Sequence, residues 1–177
     1  TMMPWIDALK DADLFREGGG SDRILIHKGE TSGKGPTWSF SVKPSKTPSL
    51  EVSFDHPNRG IGKQSFKLPL TQKAIIKELG DCRPIRLTKD LNVPERAALE
   101  GMAQLGSVLL FDEEGKPTEG VELRHSDEPA RRMALDAIAV LSLLGAPVQG
   151  DIKVKGASLS AFRELAWHLG TADRTSL

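Results

Sequence analysis

The pattern of apolar residues changes period near residue 71, and this change limits the fold more than any other feature. Before Thr71, apolar side chains alternate with polar ones, as in Trp38-Ser39-Phe40-Ser41-Val42. A period of two residues predicts strands with one buried and one exposed face. After Thr71, apolar residues recur every three or four positions, which predicts helices. The sequence therefore predicts an α+β protein: a small antiparallel sheet with basic loops, then a mixed helix, hairpin and helix-strand-helix region.

The predicted elements follow this division. We predict a short helix over 5–14, strands over 23–28, 37–43, 49–54 and 64–68, and a boundary between a sheet subdomain (1–70) and a helical and mixed subdomain (71–177), with one shared core as the alternative. Beyond the boundary we predict helices over 71–79, 94–105, 127–144 and from 158 onward, a short extended piece over 84–87 and a strand over 152–155. The apolar runs 108–111 and 121–123 predict a hairpin with an acidic tip over 112–120. The predicted helix 94–105 has one apolar face, formed by Ala98, Met102 and Leu105.

Length and cysteine content set further limits. A chain of 177 residues corresponds to one domain of ordinary size. The single cysteine, Cys82, excludes an internal disulfide framework and is typical of a reducing compartment. The longest apolar stretch, 134–148, is interrupted by polar residues and is too short to span a bilayer. Because no signal peptide is visible either, we expect a cytoplasmic protein that does not contact membranes.

Charge is distributed unevenly along the chain. Residues 1–89 contain 15 Lys and Arg against 10 Asp and Glu, whereas residues 90–177 contain 9 against 14. Such asymmetry indicates an anionic partner for the first half, or an acidic surface within the same protein. We therefore expect a non-catalytic module that binds nucleic acid or belongs to a nucleoprotein assembly. Its predicted binding residues are the basic side chains Lys28, Lys34, Lys43, Lys46, Arg59, Lys63 and Lys67.

Two aromatic residues, Trp38 and Phe40, lie among these basic loops. Aromatic rings on a sheet can stack on bases while lysines contact phosphates. The alternative is that both rings belong to the core beneath the helices. The order of elements between residues 71 and 124 also follows the plan of a winged helix, but its acidic hairpin would repel phosphate, so we interpret this part as structural or protein-binding.

Candidate catalytic groups are weakly supported. The glycine-rich run 29–35 lacks the spacing and the following helix of a phosphate-binding loop. The histidines His27, His56, His125 and His168 are far apart in sequence, and no nucleophile motif is present. We therefore predict no catalytic residue, no metal site and no cofactor. Two alternatives stay open: an assembly subunit that uses the acidic segment 112–119, and an enzyme whose cleft brings His56 or His125 together with distant carboxylates.

The C-terminal third shows one family resemblance. The apolar helix Ala137-Ile138-Ala139-Val140-Leu141-Ser142-Leu143-Leu144-Gly145, the strand Ile152-Lys153-Val154-Lys155-Gly156 and the pair Phe162-Arg163 occur in that order. Over residues 121–169 this arrangement resembles the seventh type of large polyvalent-protein-associated domain, which is found fused to relaxases and other proteins of conjugative plasmids and phages. The resemblance implies a protein of a mobile element and supplies no catalytic residue.

Overall fold

The computed structural model describes residues 2–12, 25–26 and 29–172. The helices are α1 (Met3–Asp11), α2 (Gln72–Leu79), α3 (Val93–Gln104), α4 (Glu128–Ser142) and α5 (Leu159–Ala172). The strands are β1 (Leu25–Ile26), β2 (Thr31–Lys34), β3 (Ser39–Pro44), β4 (Ser49–Asp55), β5 (Lys63–Pro69), β6 (Ile85–Leu87), β7 (Leu109–Phe111) and β8 (Val148–Lys155). The predicted α+β class is confirmed.

The main sheet is mixed, because β8 lies in its middle. The strand order is β2-β3-β8-β4-β5, and β1 also pairs with β8. Strand β8 is antiparallel to β3 and parallel to β4, with Ile152 opposite both Val42 and Leu50. A strand from the C-terminal region thus completes a sheet whose other strands all precede residue 70. The domain boundary at residue 70 stays a prediction.

The large core lies between one face of this sheet and the helices α4 and α5. Alternation places Phe40, Val42, Leu50, Val52, Leu68, Ile152 and Val154 on the buried face of the strands. The helices contribute Ala134, Ala137, Leu141, Phe162 and Leu165. The apolar faces of the strands and of the helices are both buried in this core, so both elements could be predicted from the sequence.

The region 84–111 differs from the predicted hairpin. Strands β6 and β7 pair in parallel, with Ile85 opposite Leu109, and α3 crosses between them. Residues 121–123 form no strand; the returning chain makes only an isolated bridge between Phe111 and Pro117. The prediction of a hairpin from 108–111 and 121–123 is therefore wrong, because the chain turns back earlier: the N–H of Asp112 donates to the carbonyl of Lys116, and the N–H of Thr118 donates to that of Leu110. A small second core forms beneath α3 from Val108, Leu109, Leu110, Phe111, Ala103, Ile61 and Val121.

Candidate functional site

The predicted basic surface does exist, but acidic side chains lie beside part of it. The described members Lys34, Lys43, Lys46, Arg59, Lys63 and Lys67 are all exposed, whereas Lys28 lies outside the described residues. On the open face of the sheet, Lys43 Nζ lies 3.2 Å from Glu30 and Lys153 Nζ lies 3.0 Å from Glu51. The strand register also places Lys67 opposite Glu51 and Lys63 opposite Asp55. Alternating signs weaken the field that a phosphate backbone would need.

The two predicted stacking residues lie mostly inside the protein. Phe40 is 4% exposed and belongs to the large core, and half-buried Trp38 stacks on it with ring centroids 5.9 Å apart. Two of the glycines of the run 29–35 are explained by these rings: a Cβ at Gly33 would overlap Phe40 Cζ, and one at Gly35 would overlap the Trp38 ring. The core alternative therefore fits the geometry, and the run forms a strand and turn packed against aromatic rings.

Two of the histidines make local structural contacts. The backbone N–H of Asn58 donates to His56 Nδ1 at 3.0 Å, within the turn that precedes β5. Burial, followed by the nearby charge of Lys89, lowers the pKa of His56. His168 Nε2 lies 2.5 Å from the hydroxyl of Thr31 and joins α5 to the edge strand β2. His27 lies outside the described residues. These contacts account for His56 and His168 without a ligand.

His125 is paired with a carboxylate. Its Nε2 lies 3.2 Å from both Asp81 Oδ1 and Asp81 Oδ2, and both side chains are partly exposed. Asp81 is the second residue after α2, whereas His125 precedes α4, and the two are 44 positions apart in sequence. The hydrogen bond to a carboxylate fixes the orientation of the histidine ring. This pair corresponds to the enzyme alternative, in which His125 meets a distant carboxylate.

Arg124 ties the pair to the end of α3. Its guanidinium donates through Nη1 to the backbone carbonyl of Asp81 and through Nη2 to the carbonyl of Gly106 at 3.0 Å. Gly106 follows the C-terminal end of α3 and has a φ of +66°, which glycine adopts without strain. We call Asp81, Arg124 and His125 the polar cluster. It joins the ends of α2 and α3 to the segment that enters α4.

A buried ion pair holds this segment in place. Arg83 donates from its backbone N–H and Nε to Glu128 Oε1 at 3.1 and 2.9 Å, and from Nη2 to Oε2 at 2.8 Å. Glu128 also accepts from the backbone N–H of Arg124 at 2.8 Å. Burial opposes ionisation of this carboxyl, but the hydrogen bonds from Arg83 and Arg124 outweigh it and lower the pKa of Glu128. Glu128 thereby fixes the backbone from which Arg124 and His125 project.

An apolar surface on α3 lies beside the polar cluster. The predicted helix face of Ala98, Met102 and Leu105 is present, but it is exposed; Leu105 is 82% exposed. The neighbouring face, with Leu99 and Ala103, packs on the small core instead. We call Ala98, Met102 and Leu105 the α3 apolar face. Because Leu105 immediately precedes Gly106, this face ends where Arg124 binds.

Sequence reasoning missed most of this site. The sequence indicates His125 as a candidate but neither Asp81 nor Arg124, because nothing in it links Asp81 with His125, 44 positions away. The α3 apolar face was visible as a helical pattern. Its exposure was not, because the same spacing describes a buried face.

Comparison with known proteins bears directly on this site. The family model of UDP-3-O-acyl N-acetylglycosamine deacetylase matches residues 1–169. The deacetylase of that name from Campylobacter hominis is 31% identical over 138 residues, covering 78% of this chain and 47% of the relative. The enzyme from Campylobacter fetus is 30% identical over 77% of this chain and 46% of the relative. The enzyme from Chlamydia trachomatis serovar L2 is 32% identical over 64% of this chain and 39% of the relative. The chain thus spans about half the length of the curated relatives it matches.

These matches overturn the leading functional prediction. The predictions of a nucleic-acid-binding module, a nucleic-acid partner and a mobile-element origin are wrong, because the matches are to a deacetylase over nearly the whole chain. The resemblance to a polyvalent-protein-associated domain is wrong as well, since no relaxase or phage domain is indicated. The resemblance depended on an apolar helix, a strand and a second helix, an arrangement that many α+β proteins share. The asymmetry of charge along the chain is a poor guide to a partner, because the fold places Glu30 beside Lys43 and Glu51 beside Lys153. The enzyme alternative agrees with the matches.

The span of the match fits the structure described above. It covers the main sheet, both cores, the polar cluster and α3. None of the described helices is long and apolar enough to cross a membrane. From the family match over residues 1–169, the chain belongs to the UDP-3-O-acyl-N-acetylglucosamine deacetylase family.

Proposed function

We propose that this chain is the acyl-binding part of a UDP-3-O-acyl-N-acetylglucosamine deacetylase. The proposal is supported by membership of the family and by the name of the relatives, which describes a substrate with an acyl chain. Such a substrate requires an apolar surface for the acyl chain and polar groups for the sugar nucleotide. Because the chain spans about half of its relatives, the proposal concerns the share of the reaction that its own residues can perform.

The single observation that carries the proposal is the α3 apolar face. Met102 and Leu105 are exposed on a helix that is fixed to the protein by its other side. Each methylene group that an acyl chain removes from water against such a surface contributes about 0.8 kcal/mol. A contact of a few methylenes is therefore sufficient to distinguish an acylated ligand from one without the chain.

The polar cluster supplies the other half of the proposed site. With Arg124 fixed on two carbonyls, His125 and Asp81 present donors and acceptors at the end of the apolar face. We assign to them hydrogen bonding to the sugar. The buried pair of Arg83 and Glu128 acts indirectly, by positioning Arg124 and His125.

Removal of an acetyl group from an amide nitrogen requires an activated water, which enzymes obtain from a metal ion or a general base. In the part of the chain that the structure describes, no three side chains of His, Cys, Asp or Glu come together to bind a metal ion. The described residues therefore do not fit a metal-activated water, and their proposed share is substrate binding.

Calorimetric titration tests this function. We expect UDP-3-O-acyl-N-acetylglucosamine with a long saturated acyl chain to bind at least tenfold more tightly than UDP-N-acetylglucosamine. Met102→Asp and Leu105→Asp should remove this preference, because a charge on the apolar face disfavours the acyl chain. Val93→Asp is the matched control: Val93 is as exposed as Leu105 but lies on the opposite side of α3 from Met102.

Equal affinities for the two ligands would contradict the proposal. So would an equal loss of affinity in the Val93 control, since binding would then not depend on the α3 apolar face.

The cytoplasm stays our proposed location. Burial raises the pKa of the Cys82 thiol to about 12, so this thiol is protonated and inert at neutral pH. A buried free thiol of this kind is compatible with a reducing compartment.

A further inference from the structure

Strand β5 forms an open edge of the main sheet. The strand order ends with β5, which pairs with β4 on one side only. In the described part of the chain, the backbone of residues 63–68 makes no hydrogen bond apart from those with β4. The outer side of such a strand presents a row of unpaired N–H and C=O groups, which can accept a further strand.

A groove of about 360 Å³ lies between this edge and helix α2. Its apolar lining comes from Phe66 and Leu68 of β5 and from Ala74 of α2. Phe66 is partly buried, and the guanidinium carbon of Arg131 lies 4.6 Å from the centre of its ring. Because side chains alternate along a strand, a segment added to this edge can place every second side chain against the apolar lining.

The rim of the groove is cationic. Its lining includes three lysines, Lys67, Lys73 and Lys77, and one carboxylate, Glu78. Arg131 Nη1 lies 2.7 Å from Glu78 Oε2, and Lys77 Nζ lies 3.5 Å from Glu78 Oε1, so this carboxylate already has cationic partners. Lys73 and Lys77 are one turn apart on the same side of α2. We call these lysines, together with Phe66, Leu68 and Ala74, the β5 groove.

Strand β4 shows which side chains pair well with β5. Glu51 of β4 lies opposite Lys67, and Val52 lies opposite Phe66. Pairs of unlike charge and pairs of apolar residues stabilise neighbouring strands. A second copy of β5 does not offer these pairs, because two-fold pairing of β5 with its copy would gather Lys63 and Lys67 of both chains on one face. The outer edge therefore favours a strand that alternates acidic and apolar residues, as β4 does.

We propose that the β5 groove binds an extended acidic segment of another protein, which joins the sheet as a further strand. The outer edge of β5 supplies main-chain hydrogen bonds, and Phe66 and Leu68 contact the apolar side chains of the segment. The lysines of α2 contact its carboxylates and so select an acidic partner. The β5 groove shares no residue with the α3 apolar face or the polar cluster, so the proposal does not depend on acyl binding.

Fluorescence anisotropy of a labelled peptide tests this surface. The probe is a peptide as long as β5 with alternating glutamate and valine, and the control peptide has lysine in place of each glutamate. We expect the acidic peptide alone to bind in about 0.15 M salt, at which charges far from the groove are screened. Lys73→Glu and Lys77→Glu should each weaken its binding at least fivefold.

Lys116→Glu is the matched control variant. Lys116 lies in the turn after β7, and its side chain is 73% exposed, against 76% for that of Lys77. The variant makes the same change in net charge away from the groove, so it should leave the affinity for the acidic peptide within twofold of the natural chain.

Amide hydrogen exchange locates the bound peptide. A strand added to β5 should slow exchange of the outward N–H groups of residues 63–68 at least tenfold, because these groups become hydrogen-bonded. The amides of β2, the opposite edge strand, should not change. A peptide with the same glutamates and a central proline should give no such protection, because proline interrupts strand pairing.

The proposal is overturned if the acidic peptide does not bind, or if it binds no more tightly than the basic one. Binding that leaves exchange in β5 unchanged, or that Lys116→Glu weakens as much as Lys77→Glu, would identify non-specific ionic association. Protection of β5 that appears with increasing concentration of the chain alone would identify a second copy as the occupant.

Discussion

The helices of the large core and of the small unit of β6, α3 and β7 differ in how much of their surface is buried. Helix α4 buries residues along its whole length against the sheet. Of the residues of α3, only Ala103 is buried, and Met102 and Leu105 are exposed. Both helices are apolar on more than one side. The difference teaches that the large core supplies the stability of the fold, whereas the small unit is a scaffold that presents a surface.

The two regions are joined by Arg83 and Glu128, and breaking this pair should have the largest effect. Glu128→Gln leaves the guanidinium of Arg83 buried without its counter-charge. We expect a loss of about 3–5 kcal/mol in the free energy of unfolding, measured by urea denaturation. An exposed pair, such as Arg96 and Glu100 on α3, is the control; Glu100→Gln should cost less than about 1 kcal/mol. Equal losses would refute the role of Glu128 as the link between the regions.

The same pair predicts how stability depends on pH. The pKa of Glu128 is lower in the folded protein than its ordinary value of 4.5, so the unfolded chain binds the proton more readily. The stabilisation is complete above about pH 4.5 and is lost as the pH falls through the folded pKa. We expect the free energy of unfolding, obtained from denaturation curves recorded between pH 7 and pH 3, to decrease less steeply with falling pH for Glu128→Gln than for the natural chain. A steeper fall in the variant would contradict this assignment.

Truncation of buried leucines tests whether the cores are independent. Leu165→Ala in the large core and Leu110→Ala in the small core each create a cavity that costs about 2–5 kcal/mol. Both residues are almost fully buried. We expect the first to lower the protection of all slowly exchanging amides. The second should act chiefly on the amides of α3, β6 and β7, as measured by hydrogen exchange. Identical exchange patterns would show one cooperative unit.

The cap of α3 provides a smaller and more local test. Asn92 Oδ1 accepts from the backbone N–H of Glu95 at 2.9 Å, and the Glu95 carboxylate accepts from the N–H of Asn92 at 3.0 Å. Loss of such a cap costs about 1 kcal/mol. Asn92→Ala should therefore raise amide exchange within α3 and weaken acyl binding there. Exchange in α4 should not change; a general increase would show that α3 is part of the large core.

The smallest effect is expected on the open face of the sheet. The pair of Lys153 and Glu51 is exposed, and surface pairs contribute about 0–1 kcal/mol. Lys153→Ala should change the free energy of unfolding by less than about 0.5 kcal/mol and leave ligand affinity unaltered. A large loss of affinity would mean that this face, and not α3, binds the substrate.

Much of the fold could be predicted because burial and periodicity agree locally. The alternation of Phe40 and Val42 with serines predicted β3, and the change of period at Thr71 predicted α2, for which Thr71 is the N-cap. The site could not be predicted in the same way. Asp81 and His125 meet only because α2 and the segment before α4 converge, and a pairing of this kind leaves no periodic trace in the sequence.

The sequence by itself determined the α+β class, most of the helix and strand positions and the buried faces of the strands, because these depend on neighbours a few residues apart. Only the tertiary structure decided that β8 enters the middle of the sheet, that β6 and β7 pair in parallel, and that Glu51 and Glu30 compensate nearby lysines. It also decided that the apolar face of α3 remains uncovered. The physical reason is that exposure and charge compensation depend on which distant segments pack together, and the same local pattern permits several answers.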